Sequence, residues 1–309
     1  MRTADIYARV TQQIIAAIET GAATGTYRMP WHNWGEQSTR PINATTGRAY
    51  RGINVLLLWA AAEAGAYSSG RWATYRQWTE TGAQVRKGEK ATFVILWKTA
   101  TAAEPHADND HTETGTTRGR FIARAFHVFN EDQVDGAPSR PEQVQSDDQT
   151  QAAVAQFIGN TGVQIRHGGD QACYVPSIDQ VWLPQPAQFR DTEGYYAVLA
   201  HECVHWTGAK HRLDRGFSER FGDEAYAVEE LVAELGSAFL SADLHLRPEP
   251  RPDHACYIAS WLKVLRNDPK AILTAAAKAQ QAVDYLNQLS AESAERRALF
   301  PAPEKARTG

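Results

Sequence analysis

Residues 201–211 read HECVHWTGAKH and close the mostly apolar run TEGYYAVLAHECVHW (192–206). That run has the composition of a buried helix, and on a helix His201 and His205 stand at i and i+4, stacked on one face. Two imidazoles so placed can clamp one ion. Glu202 lies further round the axis, too far to join them but near enough to reach a water. This is the H-E-x-x-H arrangement of two zinc ligands and a carboxylate base that drives water into a polarised carbonyl. An apolar helix would not bury two histidines and a glutamate without something to compensate them.

The open question is the third ligand. The spacing also fits H-E-x-x-H-x-x-G-x-x-H, with Gly208 in the turn and His211 as ligand. That pattern requires a Met-turn later in the chain, and the two methionines, Met1 and Met29, both precede the motif. The rival is EAYAVEELVAELGSAFL (224–240), a helix with the apolar stripe Val228, Leu231, Val232, Leu235 and Phe239. Glu229 flanks that stripe on the side of Ala233 and Gly236, small residues that admit a partner helix, whereas Glu230 and Glu234 fall on the opposite flank. Helix phase therefore favours Glu229 as a gluzincin-type ligand. Glu230 stands as the alternative, with Glu234 as a supporting carboxylate, and His211 ranks behind both.

A chain of 309 residues with 43% apolar and 22% charged content can fill the cores of two globular domains. No window reaches the roughly 18–20 unbroken apolar residues of a membrane span, and MRTADIYARV lacks a signal-peptide core, so a cytoplasmic protein with no membrane partner is expected. Cys173, Cys203 and Cys256 form no C-x-x-C pair and read as reduced core or helix thiols. The net charge of −4 is unevenly spread: residues 1–130 hold 15 Lys+Arg against 10 Asp+Glu, and the remainder holds 17 against 26. The two halves are expected to meet different partners.

Periodicity predicts helices over 5–21, 52–65 and 73–82 and strands over 90–98 and 120–130, joined by a polar loop. EDQVDGAPSRPEQVQSDDQ (131–149) is acidic, proline-containing and aperiodic, and reads as a flexible linker. A helix over 150–159 follows, then short strands near 163–167, 172–176 and 180–184. Helices over 191–207, 224–243 and 254–290 come last, the final one broken near Pro269. Strands followed by helices give an α+β domain. The expected organisation is an N-terminal domain (1–130), the linker (131–149) and a metal-bearing domain (150–309).

HECVHWTGAKHRLDR with YAVEELVAELGSAFL, and the upstream CYVPSIDQVWLP, resemble the metallopeptidase half of ArdC-type antirestriction proteins of conjugative plasmids. DIYARVTQQIIAAIETG, RPINATTGRAYRGINVLLLW and GAQVRKGEKATFVILWK resemble the same family's N-terminal domain, shared with TraC-type plasmid primases. The resemblance implies a single-stranded-DNA-binding domain joined to a zincin-like, SprT-like peptidase domain that shields incoming DNA from restriction. It implies that His201, His205 and a glutamate of AVEEL bind metal, with Glu202 as catalytic base. The family carries a small polar residue where this chain has His211.

Six of the nine tryptophans lie before residue 98. Single-strand binding combines a basic groove with aromatic platforms, each stacked base being worth about 1–3 kcal/mol. The candidate contacts are Trp31 and Trp34 in RMPWHNWGEQ, Tyr50, Arg51 and Asn54 in RAYRGIN, Trp72, Tyr75 and Arg76 in GRWATYRQW, and Arg86, Lys87 and Lys90 in VRKGEK. No base-reading element is visible, so little sequence preference is expected. The cofactor expected is Zn2+, with Mn2+ able to take the same donors, and a host DNA-bound or restriction protein would be the peptidase target. Two other functions fit the same residues: a DNA-masking protein with a structural or vestigial metal site, and a metallopeptidase whose first domain binds a protein.

Overall fold

The computed structural model describes residues 3–23, 39–99, 121–138, 147–216, 224–246 and 254–299. Both domains are α+β. Helix α1 (Thr3–Ala23) turns Ile6, Val10, Ile14 and Ile18 into the core, the stripe its sequence predicts. Strand β1 (Ile42–Asn43) leads to α2 (Ile53–Gly65), which is buried on most sides along its first two turns, as an almost unbroken apolar run must be. Strand β2 (Arg71–Ala73) and the short helix α3 (Tyr75–Glu80) replace the single helix expected over 73–82. The start is set at Thr74, whose hydroxyl accepts from the Gln77 N–H while the Gln77 side chain accepts from the Thr74 N–H.

Strands β3 (Gln84–Val85), β4 (Thr92–Thr99) and β5 (Phe121–Asn130) follow. Four strands form a sheet in the order β1-β2-β5-β4, with β4 and β5 antiparallel from Thr92↔Val128 to Thr99↔Phe121. An open strand edge is a liability, and here α2 covers it. Asn54 accepts from the Ile95 N–H at 2.7 Å and donates to the Ile95 carbonyl at 2.8 Å.

The first residues of the expected linker (131–149) are structured. Glu131–Gln133 form a 3-10 turn, and β6 (Val134–Asp135) pairs antiparallel with β3. The acidic residues here are bonded rather than solvated: Glu131 pairs with Arg71, and Asp132 accepts the N–H groups of Ser68 and Ser69. Gln133 is fully buried and donates to Glu89 and to the Lys90 carbonyl. Residues 139–146 of the expected linker lie outside the described residues.

Helix α4 (Asp147–Thr161) precedes β7 (Gln164–His167), β8 (Cys173–Val175) and β9 (Gln180–Leu183), a sheet in the order β7-β9-β8. Strand β9 runs parallel to β7 and antiparallel to β8. Helices α5 (Thr192–Thr207), α6 (Glu224–Asp243), α7 (His254–Asn267) and α8 (Ala271–Leu299) complete the domain. The predicted break near Pro269 separates α7 from α8, and Thr11 of α1 donates to the Pro269 carbonyl at 2.6 Å.

The two domains share a core. One continuous apolar cluster runs from Ile6 and Leu56 to Val204, Leu231 and Ala276. Buried Arg40 spans the same junction: it donates to the carbonyls of Tyr50 and Phe239, pairs with Asp243 at 3.2 Å, and bonds Gln280. Gln280 in turn accepts the N–H of Gly52 at 3.1 Å.

Candidate functional site

The site lies where α5 meets α6. Asp191 caps α5, accepting the Gly194 N–H at 2.6 Å. The two helices approach closely at Gly236, where an added Cβ would stand 2.8 Å from a Val204 methyl. One residue on, Ser237 donates to the Ala197 carbonyl at 3.0 Å. That approach brings Glu229, Glu230 and Glu234 of α6 against His201 and His205 of α5.

The two imidazoles face each other through Nε2, 3.2 Å apart. Glu230 closes the triangle, with Oε1 3.4 Å from Nε2 of His205 and Oε2 3.7 Å from Nε2 of His201. One donor atom from each of the three side chains falls within 4.8 Å of the others, so these residues could hold a metal ion. The outward nitrogens are supported as well. Nδ1 of His205 lies 3.2 Å from Glu229, and Nδ1 of His201 lies 3.5 Å from Glu234. A carboxylate can only accept, so each can keep a proton on Nδ1 and, once the proton on the inner nitrogen is lost, turn the Nε2 lone pair toward the centre.

This geometry favours Glu230, the alternative left open by the sequence, over the Glu229 that helix phase prefers as third ligand. Glu229 sits behind His205, and its own oxygens are taken by Arg215, whose Nε and Nη2 donate at 3.0 and 2.8 Å. Arg215 also donates to the Val204 carbonyl and the Thr207 hydroxyl, pinning the end of α5 to α6. Helix phase assumes a wet flank, and α6 has none at this level: Glu229, Glu230 and Glu234 are all buried. Arg215 escaped the sequence reading because an arginine in a loop carries no periodic signal.

The charge balance matches a cation. Glu202, Glu229, Glu230 and Glu234 are all buried, and Arg215 offsets one of them. Burial opposes a charge on His205, yet bonds to Glu229 and Glu230 and the fields of Glu202 and Glu230 push its pKa up to about 10 in the metal-free chain. Burial likewise works against ionised Glu230, but its contacts with His201 and His205 hold its carboxyl well below the usual range. A site that gathers protons this strongly suits a divalent ion bound by two imidazoles and a carboxylate.

His211 is not part of this cluster. It is exposed, with Nε2 accepting from Arg212 at 2.6 Å and lying 3.5 Å from Asp179. Arg212 lies over the Trp206 ring, 3.8 Å from its centroid, and pairs with Asp179, so this corner ties the loop after α5 to the β8–β9 turn. Cys173 is free and exposed, and Cys203 is free and buried, with its thiol pKa pushed up by burial.

The candidate DNA contacts divide. Trp72 is 1% exposed and packs with Leu58, Val94 and Val128, so its ring offers no face to a base. Asn54 is spent on the edge of β4, and half-buried Tyr50 packs against both cores. Arg86 is engaged by Glu89, Asp135 and the Asp132 carbonyl. Each of these four has a structural partner that composition could not reveal, although Arg86 is itself exposed. Tyr75 is 51% exposed, and Arg76, Lys87 and Lys90 are exposed as well. Arg51 is exposed and pairs with Asp284, while Arg76 pairs with Glu80. Trp31 and Trp34 lie outside the described residues.

Comparison with known proteins places this geometry. A model of the N-terminal domain of anti-restriction factor ArdC matches residues 4–129, and one of zincin-like metallopeptidases matches residues 152–278. The antirestriction ArdC protein from plasmid R388, in its metal-free crystal structure, superposes with a TM-score of 0.74 at 39% identity, covering 93% of this chain and 98% of that one. The chain belongs to the ArdC antirestriction family. The Mn(II)-bound structure of R388 ArdC superposes with a TM-score of 0.73 at 38% identity, covering 92% of this chain and 98% of that one. An uncharacterised protein, y4eC, of Sinorhizobium fredii is 52% identical over 92% of both chains. DNA primase TraC of Escherichia coli is 38% identical over 90% of this chain, which spans only 26% of the primase. The ArdC relationship carries a zincin-like domain and supports a divalent metal at the α5–α6 site. Among the described residues no helix is long and apolar enough to cross a membrane.

Proposed function

We propose that this chain protects incoming DNA from restriction by binding single strands through its N-terminal domain and hydrolysing peptide bonds at the α5–α6 centre. The observation that carries the reading is the convergence of His201, His205 and Glu230 donor atoms within 4.8 Å, one residue from buried Glu202. His201, His205 and Glu230 would hold Zn2+ or Mn2+, a choice the donor set leaves to availability. Such an ion supplies Lewis-acid polarisation of the scissile carbonyl. Glu202 takes a proton from the attacking water and returns it to the leaving amine. Glu229 and Glu234 orient the imidazoles. Tyr75, Arg76, Lys87, Lys90 and Arg51 offer the ring and the charges for a single strand, supported by the relationship to ArdC and TraC. A DNA-bound or restriction protein would then be the substrate, held near the peptidase by a shared strand.

Because the core is shared, the working division into residues 1–130, 131–149 and 150–309 is tested in the full chain rather than in fragments. Glu202→Gln is compared with the parent for protection of transferred DNA and for binding of a labelled single-stranded oligonucleotide. Protection lost with binding kept supports proteolysis. Protection kept would leave occupancy of the strand as the mechanism, with the metal site structural. Failure of the parent to bind the oligonucleotide would assign the first domain to a protein partner.

A further inference from the structure

Resting on the single-strand reading above, the hairpin of β4 and β5 adds a stacking surface outside the motifs that first point to DNA. Alternate residues of the two strands share a face, and the register sets Val94 opposite Phe126 and Leu96 opposite Arg124. The other face is covered, with Phe93 and Ile95 buried in the main core. On the first face, Val94 and Val128 pack under Leu58 and Trp72. That cover stops short of the neighbouring pair. Phe126 is 38% exposed and Leu96 is 45% exposed, and they are diagonal neighbours across the two strands. The backbone beneath them is held, because Asn54 of α2 bonds both the N–H and the carbonyl of Ile95.

Charge decides what such a surface would take. Strands β4 and β5 contain no Asp or Glu, and their Lys98 and Arg124 stand at even positions like Leu96 and Phe126. Arg124 is exposed directly across from Leu96. Two apolar side chains are far too few for a stable protein interface, which takes about 20–30 residues a side. A ring beside a cation is enough for one base and its phosphate. We propose that Phe126 and Leu96 form a base-stacking platform for single-stranded DNA, with Arg124 neutralising an adjacent phosphate. Tyr75 packs against Phe129, of the opposite alternation, at 6.4 Å and 70°, so it meets a different nucleotide of the strand.

The test titrates full-length Phe126→Ala, Phe126→Leu, Arg124→Gln and Tyr75→Ala against a labelled oligodeoxynucleotide of mixed sequence, single-stranded or annealed to its complement. Anisotropy is read at several salt concentrations. Phe126→Ala should bind the single strand about 5- to 150-fold more weakly, with the salt dependence unchanged. Phe126→Leu keeps the apolar bulk and loses the aromatic face, so it should weaken binding in the same direction even if Phe126→Ala fails to fold. Arg124→Gln should flatten the slope of log affinity against log salt by about 0.7, the share of one phosphate on a single strand. Parent-like affinity in the folded Phe126 variants, or a parent-like slope in Arg124→Gln, overturns the proposal, whatever Tyr75→Ala does. Equal weakening toward single strand and duplex overturns it too, since paired bases offer no free face. A parent that binds no single strand removes the reading on which the platform rests, which is a separate failure.

Discussion

At the scale of the residue, the site separates two glutamates that stand side by side in sequence. Glu230 faces the Nε2 atoms, whereas Glu229 is shared between His205 and Arg215. Substituting Glu230 by Gln removes a donor to the ion and should abolish stoichiometric binding. Glu229→Gln leaves the donors in place and releases only the orientation of His205, so affinity should drop by about 10–100-fold without being lost. Isothermal titration of both variants distinguishes the roles, and the opposite ranking would restore Glu229 as ligand. The raised pKa of His205 sets a pH dependence. Its ordinary value is 6.5 and the metal-free chain holds it near 10, so a proton occupies the imidazole throughout that window. An ion must displace that proton, so affinity should weaken by about tenfold for each pH unit below about 10. Titrations at pH 7, 8 and 9 that gave one affinity would show that His205 is already neutral.

At the scale of the element, the distance between α5 and α6 is the quantity that matters. Gly236 is helical and needs no special backbone; it is small because Val204 occupies the space a Cβ would take. Gly236→Ala would ordinarily favour a helix, yet here it forces the two helices apart. The net effect should be a loss of about 1–3 kcal/mol in unfolding free energy, together with weaker metal binding. Denaturant unfolding of the metal-free variant reads the first effect, and a gain in stability would mean that Val204 yields without moving α5.

At the scale of the whole molecule, the N-terminal domain is built against the helices of the metal-bearing one. Arg40 reaches the end of α6, and Gln280 of α8 receives both Arg40 and the N–H of Gly52. The basic half therefore cannot be treated as an arm carried on a free tether. It also means that aromatic residues in the first domain serve two ends. Tyr75→Ala should weaken single-strand binding by about 1–3 kcal/mol with the fold intact, while Trp72→Ala should cost about 3–5 kcal/mol of stability. Anisotropy titration and thermal unfolding of the two variants make the comparison, and equal loss of binding in both, with both folded, would put the strand on the other face.

The sequence by itself determined the ends of this argument: two histidines one turn apart on an apolar helix, a glutamate beside them, and an acidic helix close behind. These depend on local periodicity, and α1, α2, α5 and α6 follow it closely. Short-range signals also located the β4–β5 hairpin and the break before α8. Where contacts are long-range, periodicity had nothing to say. The choice between Glu229 and Glu230 depends on the rotation of α6 against α5 and on an arginine fourteen residues away in sequence. The acidic stretch after Asn130 looks like a linker until Arg71, Ser68 and Ser69 are seen to use its charges. Trp72 and Tyr75 lie three residues apart in similar company, and only the packing of β2 beneath Tyr67 and Leu58 puts one ring inside and leaves the other in solvent. Burial is a property of the surrounding surfaces, and those are assembled only when the chain has folded.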